Sequence, residues 1–121
     1  MREKIIDYYS GFEGSPKIQF ISVIDNEKLT IRVWIGYFDN IMEAINFEPP
    51  EWTGLALYYH LDEGWYEESP WKIPELDTII QQFQKIDYKV FDKETKKVYE
   101  DIFNLLQKAK AEQKSVIIVY D

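Results

Sequence analysis

Two runs of strand-forming residues, Ile18–Ile24 and Leu29–Phe38, stand on either side of Asp25-Asn26-Glu27-Lys28. Side chains on a strand alternate between faces, so Leu29, Ile31, Val33 and Ile35 share one side and Thr30, Arg32 and Trp34 the other. Aspartate and asparagine favour the tight turns that join antiparallel strands, and the pattern predicts a β-hairpin. Such a hairpin has an apolar face that something else in the chain must cover.

Two amphipathic stretches can supply that cover. Glu75–Ile86 follows Pro74 and carries Leu76, Ile79, Ile80, Phe83 and Ile86 at spacings of three and four, a helical stripe. A longer helix is expected from a cap at Asp92 to about Gln113, with Val98, Tyr99, Ile102, Leu105, Leu106 and Ala109 on one side. Its lysines, Lys96, Lys97, Lys108 and Lys110, with Lys114 just beyond, read as a solvated face balanced by Glu94, Glu100, Asp101 and Glu112.

The remaining elements are shorter. Glu3–Tyr9 reads as an N-terminal helix stopped by Ser10-Gly11. Asp39–Asn46 reads as a helix capped by Asp39 or Asn40, with Ile41, Met42 and Ile45 inward, and the tandem Pro49-Pro50 bars its continuation. Thr53–His60 is a third strand candidate, Leu61–Pro74 a long loop, and Val116–Tyr120 a strand apolar enough for burial on both faces. The expected architecture is α+β, in one domain spanning residues 1–121. A mainly antiparallel sheet of about four strands carries helices packed on it, in the order α-β-β-α-β-α-α-β.

Charge narrows the function. The net charge is −8. Nine acids and one base, Lys72, lie between Glu43 and Asp77, so this stretch holds the whole excess; the other residues carry 13 acids and 13 bases. An acidic chain is a poor ligand for phosphate backbones and anionic membranes, so neither nucleic acid nor membrane is an expected partner. There is no cysteine, hence no thiolate nucleophile or thiolate metal site, and no apolar N-terminal run of the kind a secretory leader needs. A cytoplasmic location is expected.

The acidic stretch also holds Trp52, Trp65 and Trp71, three of the four tryptophans, with Tyr58, Tyr59 and Tyr66. Tryptophan and tyrosine are frequent interface anchors, and carboxylates accept bidentate arginine forks. Glu63, Trp65, Tyr66, Glu67, Glu68 and Trp71 are therefore the primary contact candidates for a basic protein partner. Glu48, Glu51, Trp52 and Asp62 are secondary ones. The bland alternative is a solvated acidic surface whose indoles merely edge the core.

A catalytic reading has less to stand on. His60 is the only histidine; with Asp62 and Tyr58 it is the centre of a rival reading as a small enzyme or ligand-binding domain. Metal sites draw on three or four convergent ligands, so a single histidine with unplaced carboxylates predicts neither a metal nor a cofactor. Pairs such as Glu63 with Glu67 or Glu68 satisfy the carboxylate spacing of glycoside hydrolysis by chance in any acid-rich loop. No catalytic residue is assigned.

Small, acidic and free of cysteine, with the stretch Glu51-Trp52-Thr53-Gly54-Leu55-Ala56-Leu57-Tyr58-Tyr59-His60-Leu61-Asp62-Glu63-Gly64-Trp65-Tyr66, the chain resembles the immunity proteins of bacterial polymorphic toxin systems, contact-dependent growth inhibition among them. That resemblance implies a cytoplasmic inhibitor of one cognate toxin domain, often a nuclease with a basic cleft that an acidic face can cover. A non-toxin adaptor for a basic protein fits the same residues.

Overall fold

The hairpin is present, and its turn is built as the sequence chemistry requires. A computed structural model describes residues 2–44, 70–73 and 76–120. Strands β2 (Lys17–Ile24) and β3 (Glu27–Trp34) pair antiparallel with Ile24 opposite Glu27, leaving a two-residue loop. Asp25 and Asn26 both take positive φ, 52° and 58°, the backbone twist that suits a two-residue hairpin turn.

The first element departs from expectation. Glu3–Tyr9 is not a helix: strand β1 (Arg2–Tyr8) runs parallel to β3, with Ile6 opposite Ile31 and Tyr8 opposite Val33. So short a helix has few hydrogen bonds to offset its nucleation cost. As a strand, the same residues gain a ladder along β3 and put Ile6 and Tyr8 against the core. Since Tyr8 lies opposite Val33 and Lys17 opposite Trp34, the segment 9–16 carries the chain past the end of β3 into β2.

β3 stops at Trp34 instead of running to Phe38, and α1 occupies Ile35–Ala44 in place of the expected Asp39–Asn46. The Ile35 amide donates to the Pro16 carbonyl at 3.1 Å, outside the ladder. From there Phe38, Ile41 and Met42 follow helical spacing and are all buried, while Asp39 and Asn40 sit inside the helix instead of at its N-cap.

Beyond α1, the expected strand Thr53–His60 lies outside the described residues, as does most of the expected loop Leu61–Pro74. Within that loop Trp71–Lys72 forms a two-residue strand, β4, and the Ile73 amide donates to the Val116 carbonyl at 2.9 Å. α2 covers Leu76–Gln84, slightly shorter than expected, and ends where the buried Tyr99 hydroxyl donates to the Phe83 carbonyl at 2.6 Å. A single 3-10 turn (Tyr88–Val90) leads into α3 (Lys93–Ala111), which Asp92 caps by accepting from the Thr95 amide at 2.7 Å. Strand β5 (Ile117–Tyr120) pairs with β2 and with β4.

The class is α+β. Among the described residues the sheet order is β1-β3-β2-β5-β4, five strands if the brief β4 is counted. It is mixed, not mainly antiparallel as expected, because β1 joins in parallel, and the chain order therefore also differs from the predicted one. Ile18, Phe20 and Ile24 of β2, Ile31 and Val33 of β3 and Ile118 of β5 meet the helices in one core with Phe38, Ile79, Phe83, Ile102 and Leu106. β5 is not buried on both faces: Ile118 is sealed, while its neighbour Ile117 is 38% exposed on the opposite side.

Two local features carry stability predictions. α3 closes with Gln113 at φ 55°, with Lys114 donating to the Ala109 carbonyl at 2.8 Å and Gln113 to Lys110 at 3.1 Å. This cap favours glycine, so Gln113→Gly is expected to raise unfolding free energy by about 0.5–1 kcal/mol in urea titrations. At the other end, the hydrogen bond from the Thr95 backbone amide, helped by the Thr95 side chain, holds the Asp92 carboxyl below its ordinary value of 3.8. A lowered folded value means stability present above 3.8 and lost as pH falls through the folded value. Asp92→Asn keeps a cap without the charge, so the gap in stability between wild type and this variant should shrink as the medium is acidified below 3.8. A gap independent of pH would contradict the assignment.

Candidate interaction surface

The proposed contact residues divide sharply in the structure. Glu48, Glu51, Trp52, Asp62, Glu63, Trp65, Tyr66, Glu67 and Glu68 lie outside the described residues, and so do His60 and Tyr58 of the catalytic alternative. Trp71 is the exception: its backbone is in β4, opposite Ile118. The structure therefore neither assembles nor disperses the predicted set.

It does fix where the acidic stretch is attached. On one side α1, ending at Ala44, packs on α3, β2 and β3. On the other, Trp71–Ile73 runs along β5 at the margin of the sheet formed by the described residues. The residues numbered 45–69 between these anchors contain six carboxylates and no lysine or arginine. The described residues carry 14 acids and 14 bases, a neutral scaffold.

The scaffold has an aromatic corner that periodicity did not reveal. Phe12, from the segment between β1 and β2, stacks on Trp34 with ring centres 4.2 Å apart and planes 6° from parallel. Tyr37 of α1 meets both rings edge-on, at 5.6 and 5.2 Å. A glycine at position 36 makes room, since a β-carbon there would come within 2.4 Å of the Trp34 ring. Offset stacks and edge contacts of this kind add roughly 0.5–1.5 kcal/mol each beyond their buried area. The cluster ties the 9–16 crossing to the start of α1.

Beside it, the Tyr8 hydroxyl donates to the Asp101 carboxylate, linking the edge strand to α3. Burial raises the Tyr8 phenol well above its ordinary value, and the bond to Asp101 adds to the shift. Tyr37 is also raised, by burial first and then by Glu94 and Asp92. Both phenols thus stay protonated at neutral pH and do not act as bases, and Tyr8 donates its proton in the bond to Asp101. Only the identity of the aromatics signals this corner in the sequence. Their meeting depends on a crossing loop and a helix start that local spacing does not encode.

Among the described residues, no group of three or more histidine, cysteine, aspartate or glutamate side chains converges as a metal site. No helix among them is long and apolar enough to cross a membrane. Depressions among the described residues are open, two of them holding about 410 and 460 Å³. Compared with protein-family models, with curated proteins and with solved structures, the chain matches none.

Proposed function

We propose that this chain is an immunity-type protein that acts in the cytoplasm, binding a basic toxin domain and neutralising it without catalysing a reaction. The observation that carries the reading is the partition of charge. A neutral α+β scaffold holds both ends of a stretch with six carboxylates, three tyrosines, two tryptophans and no lysine or arginine. Solubility alone would be served by carboxylates spread over the surface.

The physics of such an inhibitor is direct. A domain that acts on nucleic acid presents cations to phosphates, and carboxylates can occupy those cations in competition with the substrate. The acidic field speeds encounter, and desolvated aromatics slow escape. The partner is thus a basic protein; nucleic acid and membrane are not partners in this reading.

Co-expression tests it. Where a large secreted protein is encoded immediately upstream, its C-terminal domain is produced in bacteria with and without this chain. Restored growth together with a stable one-to-one complex on gel filtration is expected. Undiminished toxicity with no complex would overturn the proposal.

A further inference from the structure

Strand β1 stands at one end of the sheet and, among the described residues, is paired on one side only. Its other side carries the donors and acceptors of a further ladder, and what completes such a ladder is another strand. Arg2, Glu3, Lys4, Ile5 and Asp7 are exposed along it, and apolar Ile5 keeps 47% of its surface open. No proline or bulge interrupts the strand, and every residue of it is in register with β3.

Charged residues on an edge usually keep foreign strands away. Here their layout suits one strand in particular, a second copy of β1. Side chains alternate, so Arg2 and Lys4 lie on the helix side with Ile6 and Tyr8, which pack against the core. Glu3, Ile5 and Asp7 lie on the other side. On the helix side the strand begins basic and ends acidic. At its end the Tyr8 hydroxyl bonds Asp101, and the charges of Glu94 and Glu100 also act on that phenol.

Strands related by a two-fold axis perpendicular to the sheet run antiparallel and keep their helices on the same side. The register that overlaps the whole of β1 puts Ile5 on the axis. It also puts Arg2 opposite the second copy's Tyr8, at the acidic end, and symmetry repeats that contact. On the other side Ile5 meets its own counterpart, an apolar cross-strand pair. Glu3 there comes opposite the second copy's Asp7. Lys28, 3.9 Å from Glu3, and Arg32, the ladder neighbour of Asp7, offset that repulsion.

We propose that two copies of this chain associate through β1, antiparallel and with Ile5 at the two-fold axis, into one continuous sheet. The inference does not depend on the proposed function. β4, beside one end of the acidic stretch, stands at the far end of the sheet, and a two-to-two assembly keeps the one-to-one ratio.

The chain has no cysteine, so one introduced at a time reports contact between copies directly. Residues directly opposite in an antiparallel pair have Cα atoms roughly 4.5–5.5 Å apart, within the span of a disulfide. Ile5→Cys, oxidised in air, is expected to run as a covalent dimer on non-reducing gels. Val23→Cys is the control: on the same side and 41% exposed, but in β2, which is flanked by β3 and β5. It should stay monomeric. In sedimentation velocity the wild type should show a monomer–dimer equilibrium in the micromolar range. Arg2→Glu, with an unchanged circular dichroism spectrum, should weaken that equilibrium at least tenfold. A wild type that stays monomeric throughout, equal cross-linking at both cysteines, or a dimer indifferent to Arg2→Glu would overturn the inference.

Discussion

Reversing Glu63, Glu67 and Glu68 together to lysine is expected to weaken the complex with the basic partner by at least a hundredfold and to leave the fold intact. Close charge pairs in tight protein complexes couple by roughly 1.5–7 kcal/mol, and about 1.4 kcal/mol is tenfold in affinity. Even the low end of that range, expressed at two of the three positions, reaches a hundredfold. The fold should survive because glutamate is almost never fully buried unless paired, and substitutions at such positions rarely disturb a core. Isothermal titration of wild type and triple variant, with circular dichroism to check folding, measures both halves. Unchanged affinity would remove this stretch as the docking site.

The largest expected stability effect lies at Phe20. It is fully buried in the middle of β2, opposite Ile31 on one side and Ile118 on the other, and its ring lies 6.0 Å from that of Phe38. It therefore joins three strands to α1. Phe20→Ala removes an aromatic ring where two neighbouring strands hinder collapse, at a cost of about 3–5 kcal/mol. Small domains hold only about 5–15 kcal/mol in total, so the variant should be partly or wholly unfolded at 37 °C. A urea midpoint close to wild type would show that the sheet and α1 do not share this core.

Local chemistry made some of the fold legible. The β2–β3 hairpin is marked by Asp25-Asn26, whose left-handed conformations few other residues accept so readily. α3 is marked by Asp92 and a stripe from Val98 to Ala109, and both appear in the structure as read. Where long-range pairing decides, the sequence misleads. Arg2–Tyr8 holds too few residues to separate a period of two from one of 3.6, and its partner β3 lies some twenty positions away. At Ile35 two periodicities overlap: it continues the alternation of Leu29, Ile31 and Val33, and it also begins the helical set with Phe38, Ile41 and Met42. The helical set prevails because Ile41 and Met42 are buried only in that phase.

The candidate site was legible as composition, and its attachment to the fold was not. Nothing in the spacing of Ile117, Ile118 and Val119 reports that Trp71-Lys72 lies alongside β5.

The central claim is that an acidic, aromatic stretch on a neutral scaffold steers this protein onto a basic partner. Its most direct test is the association rate constant measured by stopped flow as ionic strength is raised from about 0.02 to 0.5 M, over which screening shortens from roughly 20 to 4 Å. The rate should fall at least tenfold for the wild type and hardly at all for the Glu63, Glu67 and Glu68 reversal. A wild-type rate indifferent to salt would contradict the account.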